Sequence, residues 1–378
     1  MRTERTKRVP PRIPAQDGPA GMGGGGSRFP ADTGEPPVRS AKTKRKDGEN
    51  VTQERNEEYG SIVDVPGVKV GQAQDEAALT GCTVLVMENG AVCGVDVRGS
   101  APGTRETDLL HPTHLVEQVH AICLSGGSAY GLDAASGVMR WLEERCIGFD
   151  VGVGVVPIVP AAVLFDLSVG SAKVRPDQQM GYRAAQQAST HPVKQGNVGA
   201  GTGATVGKLA GMRHAMKGGL GSASRRLPNG LVVGAIVAVN AVGEVRDPAT
   251  GRVLAGVRDE HGQIRDILSL MIEQGSLPVR PGTNTTIAVV ASNANFTKAQ
   301  ANKVAQMAHN GLARTIFPIH TMHDGDTIFA AATGGVDASV DLVGTLSAEV
   351  LAEAVVNAIL AAETAGGIPA YRDLRPQA

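Results

Sequence analysis

The stretch Gly282-Thr283-Asn284-Thr285-Thr286-Ile287-Ala288-Val289-Val290 places the tightest local constraint on this chain. Pro281 and Gly282 punctuate its approach. Residues 285–290 are rich in β-branched side chains, which are stiff at χ1 and suit a buried strand. The segment reads as a loop that turns directly into a core strand. Two outcomes are open at the junction. Asn-Thr-Thr can simply begin the strand. Alternatively, the Thr285 hydroxyl attacks the carbonyl of its own preceding peptide bond. Cutting the Asn284–Thr285 bond gives Thr285 a hydroxyl nucleophile and a free α-amine on one residue. Such an amine, with a pKa of roughly 7.7–8.0, is a base near neutral pH. Threonine paired with its own N-terminal amine is one way to activate a weak alcohol.

The rest of the chain is organised around that strand. Residues 1–58 carry Arg/Lys clusters, a glycine run and several prolines without apolar periodicity, and read as a disordered basic extension or a start assigned too far upstream. The folded part, 59–378, reads as a single domain. Residues 63–70 suggest a short strand broken by a turn. Residues 83–87 and 91–97 flank Asn89-Gly90, a strong hairpin signal. A strand at 122–124 leads through Ser125-Gly126-Gly127-Ser128-Ala129-Tyr130-Gly131-Leu132 into a helix ending near Arg145. The glycines of that turn leave backbone N–H groups for a negative oxygen. Residues 177–189 look helical, 231–240 form an apolar strand, and 244–253 a hairpin around Asp247-Pro248. A linker with a possible short helix spans 256–282. Helices are expected at 297–313 and 347–363, with a strand at 327–332 between them. Strands then helices, twice over, with several hairpins, favour a mixed α/β sandwich over a doubly wound parallel sheet.

Composition narrows the function classes. The formal charge of −1 implies no polyanion, so no nucleic-acid partner is expected. Glycine is abundant, at 49 residues, and aromatics make up 3%, which points to close backbone approaches. The four cysteines are widely spaced and form no metal-type pairs, so reduced thiols and a cytoplasmic location are expected. No uninterrupted apolar run reaches transmembrane length, so no membrane role is expected. His111, His114 and His120 lack metalloprotease spacing. The run at 199–208 invites a nucleotide reading but fails it. Thr202 stands where a phosphate-binding loop needs glycine, and Leu209 where it needs Ser or Thr. Lys208 at its end remains a candidate catalytic amine, provided burial lowers its pKa. Asp324-Gly325-Asp326 precedes a strand, and one glycine between two carboxylates lets both face one site or both sit in a solvated turn. Asn240 ends an apolar strand and is either a loop residue or a donor to an oxyanion.

Together these segments resemble the DmpA-type N-terminal-nucleophile hydrolases, a group of L-aminopeptidase/D-esterases, β-peptidyl aminopeptidases and nylon-oligomer hydrolases. The resemblance spans about residues 60–365. It is carried by residues 64–71, 126–132, 201–208, Val239-Asn240, Asn284-Thr285-Thr286-Ile287 and Asp324-Gly325-Asp326-Thr327. It implies an αββα sandwich and self-cleavage between Asn284 and Thr285, dividing the domain into 59–284 and 285–378. By resemblance Thr285 is the nucleophile. Asp324 and Asp326 match the acidic pair of the nylon-oligomer hydrolase. Lys208, Asn240 and Tyr130 match supporting residues, with Asn240 the oxyanion donor. The resemblance further implies a homotetramer of processed units, small peptide or amide substrates, and neither cofactor nor metal. An uncleaved binding protein is the alternative of another class.

Overall fold

The computed structural model describes residues 60–275 and 284–374. The extension 1–58 and the approach at 281–283 lie outside the described residues. Nine strands of one hydrogen-bonded sheet are seen among the described residues: β1 Lys69–Asp75, β2 Thr80–Val97, β3 Thr104–Arg105, β4 Gln118–Ser125, β5 Ala161–Val163, β6 Gly219–Arg226, β7 Val232–Asn240, β8 Thr285–Ala294 and β9 Thr327–Val336. The helices are α1 Ala134–Glu143, α2 Gln178–Gln186, α3 Ile267–Gln274, α4 Lys298–Thr315 and α5 Val340–Ala361. Strand order is β6-β7-β8-β9-β2-β4-β5-β3, with β1 also pairing with β2. The β8/β9 and β4/β5 pairs are parallel.

Side-chain alternation folds this sheet into two layers. On β8, Ala288, Val290 and Ala294 face α4 and α5, packing with Val304, Leu312, Leu351 and Val355. Ile287, Val289 and Ala291 face the other way. There they meet Leu85 and Met87 of β2 and Ile122 and Leu124 of β4. The far face of β2 and β4 (Val84, Val86, Ala121, Cys123) packs on α1 and α2 through Val138, Leu142, Met180 and Ala184. Helices, sheet, sheet, helices: the three cores are those of an αββα sandwich. Both faces of β7 and β8 are covered, which explains why they are apolar without polar alternation.

The strand that joins the two layers is β2. Its first half pairs with β1 and β4, its second half with β9. The hairpin expected at Asn89-Gly90 is therefore not a hairpin. The chain continues as one strand, with a register irregularity between Val86 and Ala91. Gly90 takes φ +77° there, the left-handed geometry of a bulge. Two further expectations change. The strand anticipated at 63–70 is a 3₁₀ turn, Ile62–Asp64, and pairing begins at Lys69. The last helix starts seven residues earlier than expected, at Val340, where the Ser339 hydroxyl accepts from Leu342 N–H. That helix is long and apolar enough by length and composition to cross a membrane, although Glu349 and Glu353 interrupt its apolar run. Its apolarity is that of a core element, since most of it is buried inside the fold.

Candidate active site

Thr285 opens β8 and is buried. Antiparallel pairing sets Asn240, the last residue of β7, directly opposite it. Asn284 forms a parallel bridge with Asp324, which brings in the loop before β9. The Thr285 hydroxyl donates to the Asn284 carbonyl oxygen at 2.5 Å. The Gly325 backbone N–H donates to the same oxygen at 3.0 Å. The carbonyl preceding Thr285 is thus held between a hydroxyl and a polarising amide.

The acidic pair is buried and unequal. Asp326 Oδ1 accepts Thr286 N–H at 2.7 Å. Its Oδ2 accepts the His320 backbone N–H at 3.1 Å and lies 2.8 Å from His320 Nδ1. Asp324 Oδ2 accepts Thr321 N–H at 2.7 Å. Burial, then the neighbouring Asp326 charge, push Asp324 up to about 6. Segment 98–101 braces the loop: Arg98 N–H donates to Asp326 O, and Ala101 N–H to Asp324 O.

Lys208 lies across Asn240. Its ammonium donates to the Asn240 backbone oxygen at 2.9 Å and to Oδ1 at 3.0 Å. Burial lowers it to about 7, against the opposing pull of Asp324, Asp166 and Asp326. Asn240 Oδ1 also accepts Thr205 N–H at 3.0 Å, while its Nδ2 donates to Phe165 O at 3.0 Å. One hydrogen of the expected oxyanion donor is therefore committed to the protein. Thr285, Asp324, Asp326, Lys208 and Asn240 form one buried constellation. Tyr130 is 62% exposed, its ring under the Arg175 guanidinium at 4.0 Å.

The glycine turn before Tyr130 differs from expectation. Gly127 N–H donates to Asp166 Oδ1 at 2.7 Å, Ser128 N–H to Leu164 O and Gly126 N–H to Gly81 O. The amides are spent within the protein, Gly127 N–H on the Asp166 carboxyl and the other two on neutral carbonyls. Sequence reading missed Asp166, Lys217 and His320. Asp166 also accepts the Thr80 hydroxyl at 2.7 Å, and burial raises its pKa. Lys217 is wholly buried and donates to Thr202 O at 2.9 Å and Ala204 O at 2.8 Å, with burial lowering it to about 7. It clamps the loop whose Thr205 orients Asn240. A charge closing an apolar run (Leu164-Phe165-Asp166) and a lysine between Met216 and Gly218 were the available signals. We expect Lys217→Met to lower stability by about 2 kcal/mol in urea denaturation, because Thr202 O loses a buried donor. An unchanged midpoint would refute the clamp. Among the described residues, no group of three or more His, Cys, Asp or Glu is placed to hold a metal ion.

The four-layer architecture and a buried threonine at a strand mouth define a class, the N-terminal-nucleophile hydrolase fold. Two solved structures share the fold. The L-aminopeptidase D-Ala-esterase/amidase of Ochrobactrum anthropi aligns with a TM-score of 0.62 at 21% identity, covering 82% of this chain and 88% of that one. A β-aminopeptidase of Burkholderia aligns at 0.59 and 22% identity, covering 84% and 95%. The chain belongs to peptidase family S58, which matches residues 60–371. It is 45% identical over 351 residues to an uncharacterised aminopeptidase of Mycobacterium tuberculosis, covering 84% of this chain and 98% of the relative. It is 34% identical over 313 residues to the 6-aminohexanoate-oligomer endohydrolase of Paenarthrobacter ureafaciens, covering 78% and 84%. The chain is thus a hydrolase of the aminopeptidase type.

Proposed function

We propose that this hydrolase activates itself by cutting Asn284–Thr285 and then uses Thr285 to cleave the N-terminal residue from small peptides, amides or esters. The observation that carries the reading is the Thr285 hydroxyl beside the Asn284 carbonyl, whose oxygen also receives the Gly325 N–H. Oγ attacks that carbonyl, the C–N bond breaks, and the nitrogen leaves as the free α-amine of Thr285. The hydroxyl proton passes through a neighbouring base to that nitrogen. Water hydrolyses the resulting ester, leaving the Asn284 carboxylate. In turnover the freed Oγ attacks the substrate carbonyl, the amine departs protonated, and water releases the acyl group. Gly325 N–H and the remaining Asn240 amide hydrogen are the donors for the oxyanion. Asp324 supplies the anion for a substrate ammonium.

A second reading, endo-type cleavage of linear 6-aminohexanoate oligomers, draws on the acidic pair and on the relatives that bear that activity in their names. Aminoacyl p-nitroanilides, β-peptides and linear aminohexanoate oligomers separate the two. Turnover of the first alone supports the aminopeptidase, turnover of the last alone the oligomer amidase. Turnover of none by processed protein sinks both.

Self-cleavage carries a pH signature. Asp324 loses its proton near 6 and Lys208 near 7 as pH rises. Only neutral Lys208 accepts a proton, so the cleavage rate should climb with pH and flatten above neutrality. Between about pH 5 and 8 the rise should reach roughly 10²-fold, following the neutral fraction of the lysine. A flat profile across that range would remove Lys208 as the base.

A further inference from the structure

We infer that His320 is a positioning residue of this site, holding Asp326 as an ionised acceptor so that Asp324 is the carboxyl that exchanges a proton. The inference rests on the proposed use of the acidic pair. His320 Nδ1 lies 2.8 Å from Asp326 Oδ2, and in the inferred arrangement the ring nitrogen carries the shared hydrogen, because a carboxylate only accepts. The His320 backbone N–H reaches the same oxygen. This double contact is built on φ +59°, left-handed backbone that few non-glycine residues adopt. With Thr286 N–H on the other oxygen, three donors converge on Asp326. A protonated Asp326 would have to reverse the ring contact, donating to Nδ1 in the other tautomer.

The surroundings keep this arrangement in place. The His309 ring meets the His320 ring edge-on at 4.7 Å, and His309 Nε2 lies 3.1 Å from Asp96 O. Burial lowers His309 to about 4, so it faces His320 as a neutral ring. Asp96 is paired with Arg98, which leaves His320 to Asp326. His323 lies in the same loop, Asp324 sits beside Asp326, and Lys208 acts on both carboxylates. Nε2 of His320 is buried without a hydrogen-bond partner among the described residues. The ring thus meets Asp326 through Nδ1, with Nε2 buried on its other side.

The test uses two variants of the full chain. His320→Gly removes the imidazole, keeps the backbone N–H and tolerates the positive φ, so the fold should survive. His320→Asn restores an N–H donor and also accepts left-handed backbone. In the uncleaved Thr285→Ala background, carbon-detected NMR of labelled Asp follows proton uptake by the acidic pair. We expect His320→Gly to move that uptake upward by about one pH unit, and His320→Asn to return most of it. An unmoved titration in His320→Gly overturns the inference. So does a shift that Asn leaves uncorrected. The NMR readout needs no turnover, so a wild type that never cleaves would defeat the functional reading and leave this result standing by itself.

Discussion

Thr285→Ala should remain a single chain of full length and lose turnover by at least about 10⁴-fold, the scale on which removing a catalytic nucleophile acts. The substitution removes a hydroxyl whose hydrogen bond is to Asn284 O, together with one methyl group. Strand β8 keeps its pairing with β7 and β9 through the backbone, so the variant should fold. Intact mass decides the matter. Wild type should give two species meeting at Asn284/Thr285, and the variant one. Thr285→Ser supplies the contrast. It keeps the hydroxyl but loses the branched β-carbon that restricts χ1, so it should cleave more slowly and still cleave. An intact wild-type chain after long incubation, with no change of any property in Thr285→Ala, would favour a binding protein over a hydrolase.

Much of this site was legible because strand register carries it. Asn240 ends one apolar run and Thr285 begins another, and antiparallel pairing of the two runs places them opposite each other. Asp324 and Asp326 follow, since a Gly-centred loop before a parallel neighbour returns to the same strand mouth. The missed residues share another cause. Lys217 binds two backbone carbonyls and Asp166 binds a hydroxyl and an amide, partners that have no residue-type signature at any spacing. His320 is six residues from Asp326, but the contact depends on a backbone angle that sequence does not announce. Asn89-Gly90 misled for a related reason. A glycine at positive φ serves a bulge as readily as a turn, and the choice was made by partners more than 25 residues away, β4 on one half of β2 and β9 on the other. The order of strands and helices gave only a mixed α/β sandwich; the four layers were implied by the family resemblance, and the alternation on β2, β4 and β8 sorts their side chains into three cores.

Gly325→Ala should slow self-cleavage by about 10²–10³-fold and also lower stability, because one of its two close neighbours is backbone. A Cβ at this position would lie 2.8 Å from Ala101 O and 2.8 Å from Thr285 Oγ, closer than a carbon and an oxygen tolerate. The two neighbours differ in what they can yield. Ala101 belongs to a segment tied to the acidic loop by Arg98 N–H, Gly99 N–H and Ala101 N–H. The threonine hydroxyl is a rotor, so it turns away first, at a cost on the order of 1 kcal/mol for leaving its rotamer. That rotation takes the nucleophile off the Asn284 carbonyl, and the crowding also draws Gly325 N–H from the oxygen it polarises. Losing one oxyanion donor alone is worth about 10²–10³ in rate. Gly99→Ala is the informative partner, because its Cβ would strike the backbone of Asp324 and Asp326, which has no rotor to give. It should unfold at lower denaturant than Gly325→Ala, whose approach to backbone is milder (2.8 Å to Ala101 O, against 2.3 Å from Gly99 to Asp324 O) and which should in addition cleave slowly. Cleavage of Gly325→Ala at the wild-type rate, followed by intact mass over several days, would mean that Thr285 reaches the carbonyl from a rotamer other than the one seen here and that Gly325 N–H takes no part in the transition state.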